Sequence, residues 1–153
     1  MKKRYLLSFI GLLGLDQLSK YYAATIVAQE GPFRLIQDFF SLTYAENTGA
    51  AWSILEGKIW FFLLVGLIAM SVMVWYFFHS SSKWVKWSMV LMLMGTLGNF
   101  IDRAWLGYVR DFLDFTIFNY AFPVFNLADI ALSCGVALLV IDAIMEEWHG
   151  KKL

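Results

Sequence analysis

Residues 59–78 read IWFFLLVGLIAMSVMVWYFF, twenty positions without a formal charge. At about 1.5 Å of helical rise per residue, such a stretch reaches about 30 Å, the thickness of a bilayer's hydrocarbon core. Three more apolar stretches of similar length flank it: Tyr5 to about Val27, about Val85 to Ala104, and about Asn126 to Met145. The whole chain agrees, with 60% apolar and 16% charged residues and a mean hydropathy of +0.63. Soluble domains run about 45–50% apolar and about 25% charged. A chain of 153 residues cannot bury this much apolar surface inside itself, so lipid is part of its solvent. The expected architecture is one integral membrane domain over 1–153, mainly α, with four transmembrane helices.

Charge narrows the function and sets the orientation. Twelve Lys+Arg balance twelve Asp+Glu, and no basic stripe is present, which removes nucleic acid as a partner. One cysteine and two histidines leave no disulfide framework and little for zinc. A metal site would have to be all-carboxylate, which suits Mg²⁺ or Ca²⁺ better, and neither metal nor cofactor is expected. Lys2, Lys3, Arg4, Lys83, Lys86, Lys151 and Lys152 lie in the tails and the 79–86 loop, seven against the four of Arg34, Lys58, Arg103 and Arg110 in the two other connections, with Lys20 inside the first span. Basic loops stay inside, so both termini are expected to be cytoplasmic. Lys-Lys-Arg before an apolar run is also the form of a signal peptide. Asp16 and Lys20 interrupt that run and no small-x-small site follows, so it is read as a span.

The two outward connections, 28–58 and 105–125, carry strand patterning. Phe40, Leu42 and Tyr44 alternate with Ser41 and Thr43, and Asn47-Thr48-Gly49 supplies turn chemistry. Residues 50–55 fit either a strand or a short interfacial helix, with Trp52 suited to the headgroup layer. In the second connection Val109, Asp111, Leu113, Phe115 and Ile117 share one face of an extended segment. The two connections are expected to form a small sheet over the helix ends.

Ionisable groups inside spans are costly and mark functional sites by default. Asp16 and Lys20 stand at i,i+4, while Asn99, Asp102 and Arg103 close the third span. Asn126 and Asp129 open the fourth, and Asp111 lies between those two spans. Each has a structural reading as well. Asn126-x-x-Asp129 has capping-box spacing, Asp102-Arg103 can close a helix end as an ion pair, and Asp16/Lys20 can pair on one face. Asp114, Glu30, Asp38 and Glu56 read as solvated, the methionines as packing groups, and Cys134 as a buried apolar filler. His79 and His149 fall on the cytoplasmic side, away from every outward nucleophile, which removes Ser-His and Cys-His chemistry. A carboxylate pair remains: one acid keeps a proton while the other activates water. Asp129 is one member, and Asp102 competes with Asp111 to be the other.

Asp16-Gln17-Leu18-Ser19-Lys20, Asn47-Thr48-Gly49-Ala50-Ala51-Trp52-Ser53, Gly98-Asn99-Phe100-Ile101-Asp102-Arg103, Val109-Arg110-Asp111-Phe112 and Phe125-Asn126-Leu127-Ala128-Asp129 occur in that order. Together they closely resemble the bacterial lipoprotein signal peptidases, or signal peptidase II, over nearly the whole chain. The resemblance implies a membrane aspartyl endopeptidase that removes the signal peptide of prolipoproteins before the diacylglyceryl-modified lipobox cysteine. It also implies four transmembrane helices, an extracytoplasmic β-cradle with a short helix, and inhibition by cyclic peptides such as globomycin. The protein would lie in the bacterial cytoplasmic membrane as a monomer, with its site near the outer surface. By the same resemblance Asp111 and Asp129 are catalytic, and Asn47, Asn99, Arg103 and Asn126 line the site. Asp16, Lys20, Asp102 and Gly49 support it. Arg110 stands where the family usually has valine, and is expected to point away from Asp111.

Two other classes fit buried acids. A small proton-coupled transporter would use them as a relay near the midplane. A non-enzymatic assembly protein would use them for structure alone.

Overall fold

The structure is a computed structural model that describes residues 3–49 and 55–150. Helix α1 (Lys3–Tyr22) widens into a single π-helical turn at Ala23–Val27 and closes with the short α2 (Ala28–Glu30). Gly31, at φ 87, turns the chain into strands β1 (Phe33–Ile36) and β2 (Phe40–Asn47). Two long helices follow, α3 (Ile59–His79) and α4 (Lys83–Leu106). Strands β3 (Val109–Ile117) and β4 (Tyr120–Ala121) then lead into α5 (Leu127–Gly150).

The expected sheet over the helix ends is present, larger than the sequence pattern gave. Its order is β1-β2-β3-β4, antiparallel throughout, and Leu113 also pairs with Phe125 just ahead of α5. Strand β1 went unforeseen because its four residues are mostly exposed and carry no buried-face alternation. The β3–β4 tip, Phe118-Asn119, holds φ of 50 and 63, the twist a two-residue hairpin demands. Asn47 begins the expected turn, its Oδ1 accepting the Gly49 N–H at 2.9 Å. Residues 50–54, where a strand or interfacial helix with Trp52 was expected, lie outside the described residues.

Close approach of α4 and α5 depends on glycine. A Cβ on Gly95 would collide with the Ala128 carbonyl oxygen and stand 2.7 Å from Leu132 Cγ. A Cβ on Gly135 would stand 2.5 Å from Met92 Cγ and 3.0 Å from the Ser88 carbonyl oxygen. The same seam carries a hydrogen bond from Ser88 Oγ to the Gly135 carbonyl at 2.6 Å. Ser82 caps α4, accepting from the N–H groups of Trp84 and Val85 and donating to Asp142 Oδ1 at 2.9 Å. At its other end α4 stops on Gly107, φ 85, in the left-handed region.

Two apolar clusters fill the interior. Tyr5, Met73, Phe77, Met89 and Val90 pack at the end away from the sheet. Ala23, Val27 and Phe112 pack beneath it, joined by Phe33, Leu42, Tyr44 and Leu127. Outward faces are apolar too, as at Leu64, Trp75 and Val140. By length and composition, Ile59–His79 and Leu127–Trp148 are apolar enough to cross a membrane. Helix α1, with Asp16 and Lys20, and the last turns of α4, with Asp102, carry fully buried charged residues instead.

One expectation is corrected here. Cys134 is exposed rather than buried. On α5 the inward positions are Ala128, Ala131 and Gly135, and a residue next to Gly135 is turned about 100° away from it.

Candidate active site

Alternation along β3 decides which way its charges face. Asp111 turns into the molecule and is only 2% exposed. Its Oδ2 accepts from Asn47 Nδ2 at 2.9 Å, and its Oδ1 accepts from Asn126 Nδ2 at 2.6 Å. Asp129 lies in the first turn of α5, where the capping box is fully formed. The Asp129 N–H donates to Asn126 Oδ1 at 3.1 Å, and the Asn126 N–H returns to Asp129 Oδ2 at 3.1 Å. The other oxygen, Oδ1, accepts from Asn99 Nδ2 at 2.7 Å. Asn126 therefore touches both carboxylates, and the capping role of Asp129 coexists with its place in the cluster.

Burial is the main reason the Asp111 carboxyl is pushed up to about 6, with the nearby Asp129 charge adding to it. The amides of Asn47 and Asn126 pull in the opposite direction. A carboxyl tuned this close to neutrality can both hold and release a proton at working pH.

Behind the pair sits a second, fully buried cluster. Asp16 and Lys20, both 0% exposed, pair at 3.0 Å as expected of an i,i+4 couple. Lys20 Nζ also donates to Asn99 Oδ1 at 2.9 Å and lies 3.6 Å from Asp102 Oδ2. Asp16 Oδ1 accepts the Ala128 N–H at 2.9 Å, tying α1 to the start of α5.

The Asp102–Arg103 ion pair anticipated from the sequence is not formed. Adjacent helical residues point about 100° apart, and Asp102 turns instead to Arg110. Arg110 Nη2 donates to Asp102 Oδ1 at 2.7 Å, while Arg110 Nε and its backbone N–H meet Oδ2 at 3.1 and 3.0 Å. Arg103 reaches across to the Gly49 carbonyl at 2.8 Å, with its guanidinium 4.6 Å from the Phe62 ring centroid. Its Nε has no partner among the described residues. Arg110 points away from Asp111, as expected.

Gln17 was missed. Its amide donates to Asp16 Oδ2 at 3.0 Å and to the Gly98 carbonyl at 3.2 Å, and its Oε1 accepts from Arg110 at 3.0 Å. Its place beside Asp16 was the available signal, but a lone glutamine carries no charge to draw notice.

A cleft of about 1230 Å³ opens onto this arrangement. Asn47, Asn99, Arg103, Asp111 and Asp129 line its polar end. Phe62, Gly66, Met73, Leu132 and Cys134 continue it between α3, α4 and α5 as an apolar trough. Asp102 is not among the described residues lining it. Asp111 shares the cleft with Asp129, whereas Asp102 is held away from it by Arg110 and Lys20.

Apolar helices, a sheet across one end and a polar cleft at their junction make up a membrane enzyme, and solved structures show the same class. The chain matches a bacterial membrane enzyme solved by the in meso method at 2.3 Å with TM-score 0.90 and 36% identity, over 96% of this chain and 91% of that one. A second such enzyme, at 1.9 Å, matches with TM-score 0.84 and 36% identity over 94% of each chain. The family model described as Signal peptidase (SPase) II matches residues 8–145. A lipoprotein signal peptidase of Lactiplantibacillus plantarum is 40% identical over 96% of this chain and 98% of its own length. One from Staphylococcus aureus is 37% identical over 99% and 97%. The chain belongs to the signal peptidase II family.

Proposed function

We propose that this chain is an aspartyl endopeptidase that removes the signal peptide from prolipoproteins, cutting before the diacylglyceryl-modified lipobox cysteine. The observation that carries the reading is Asn126 holding carboxylates from two separate elements, β3 and α5, at one end of one cleft. Asp111 and Asp129 hold a water between them, one as general base and the other as general acid. The attacked carbonyl belongs to the residue before the lipidated cysteine. Its developing oxyanion is steadied by the protonated acid and by amide donors such as Asn99 or Asn126.

The chain acts as a single membrane domain in which α1, α3, α4 and α5 cross the bilayer. Its termini lie in the cytoplasm and the sheet on the outer side. The substrate's lipid rests in the bilayer beside the helices, and cyclic peptides such as globomycin occupy the same cleft. The enzyme works as a monomer. A proton relay would place its acids near mid-span, whereas Asp129 sits in the first turn of α5 and Asp102 in the last turns of α4.

The test is incubation of purified protein with a lipidated precursor, reading release of the leader and the new N-terminus. The expected product begins with the modified cysteine, and chelators leave the rate unchanged. A precursor that stays intact, or is cut elsewhere, contradicts the proposal.

A further inference from the structure

We propose that Arg110 is a positioning residue that keeps Lys20 on Asn99, and through Asn99 orients Asp129. Lys20 has three candidate acceptors around one ammonium: Asp16 at 3.0 Å, Asn99 Oδ1 at 2.9 Å and Asp102 at 3.6 Å. A carboxylate draws an ammonium more strongly than a neutral amide oxygen does, because its full negative charge adds Coulombic attraction that the low-dielectric interior screens little. Asn99 keeps its share because Asp102 is already saturated. Arg110 places its fork and its backbone N–H on both Asp102 oxygens, and Gln17 Oε1 steadies the guanidinium.

The consequence reaches the cleft. With Lys20 on its oxygen, the Asn99 amide is fixed in one orientation, its Nδ2 turned to Asp129 Oδ1 at 2.7 Å. Asn126 Nδ2 meets the same Asn99 oxygen at 3.2 Å, so a turned amide would disturb both neighbours of the acid pair. Removing Arg110 leaves Asp102 a buried, under-compensated anion, which draws Lys20 across the 3.6 Å gap and frees the Asn99 amide to turn.

This inference rests on reading Asp129 as half of the working pair. The experiment compares R110Q, R110K and the double variant D102N/R110Q, by leader release from a lipidated precursor and by thermal unfolding in detergent. R110Q is expected to lose at least about tenfold in kcat with KM little changed, as loss of a transition-state orientation does. R110K keeps the charge without the fork and is expected to fall between. The double variant removes the competing anion, so Lys20 returns to Asn99 and kcat recovers to within about threefold of the parent. An Arg110 that merely clamps β3 to α4 gives the opposite result, since the clamp is equally absent from the double variant. R110Q with unchanged kcat, or a double variant as slow as R110Q at equal stability, overturns the inference. If R110Q does not fold, R110K and the double variant carry the same comparison. Activity retained by D129N would instead overturn the catalytic reading itself.

Discussion

Asp111 stands at 2% exposure with its carboxyl pushed up to about 6 from an ordinary 3.8, and burial is the main cause. The sign of the resulting pH effect follows from proton binding. Between these values the folded chain holds more of this proton than the unfolded chain, so stability falls as pH rises through the window. Replacing Asp111 with Asn removes that loss. The difference in unfolding temperature between Asp111→Asn and the parent is therefore expected to move in the variant's favour from about pH 4 to about pH 6, then level off. A difference flat across that range would contradict the tuning by burial. Asp16, Asp102 and Asp129 were legible in the sequence as charges within apolar stretches, whereas Asp111, in the connection between two spans, was not set apart from Asp102 by that signal. Their partners were less so. Whether Asp102 turns to Arg103 or to Arg110 depends on helix phase and on a strand crossing eight residues later, which no local spacing encodes.

Helices were read closely because a long apolar run leaves few alternatives, and α3 and α5 follow the expected stretches within a few residues. The strands were harder: β2 and β3 have alternation on a half-buried face, whereas β1 and β4 are short edge pieces defined by their neighbours. Tight packing of α4 on α5 is also an element property, set by glycines whose neighbours only the fold supplies. Gly95→Ala forces its Cβ into the Ala128 carbonyl, one residue from Asp129, and is expected to cost about 1–3 kcal/mol. Because it displaces the start of α5, leader release should fall with it. Gly11→Ala meets nothing within 4 Å and is expected to leave both unfolding temperature and cleavage near the parent's. Equal effects at the two positions would contradict the packing account.

Across the whole molecule, a sheet covers one end of the helices, and the cleft opens beneath it. Trp60 and Trp105, at 84% and 87% exposure, stand at this same end, where α3 begins and α4 finishes. Tryptophans at such a level fit the headgroup layer. If four helices cross with the sheet outside, single cysteines report it once Cys134, which is exposed, is replaced by alanine. A cysteine at Asn119 on the β3–β4 tip is expected to react with an impermeant thiol reagent from the outer side only, and one at Ser81 from the cytoplasmic side only. Labelling of both from one side would overturn the topology. The expected orientation rests on the basic residues in the tails and the 79–86 loop. The approach of Asp102, Asp111 and Asp129 was readable from their places at neighbouring span ends, but the joining of α1 to them was not, because it ties residues as far apart as Asp16 and Ala128.

The most direct test of the central claim is a double-mutant cycle on leader release from a lipidated precursor under single-turnover conditions. Two acids working on one water act as a unit, so losing the second costs little once the first is gone. Asp111→Asn and Asp129→Asn are each expected to lower the rate by at least about a thousandfold, and the double variant is expected to be no slower than either. Near-normal cleavage by either single variant, or losses that multiply in the double, would contradict the pair.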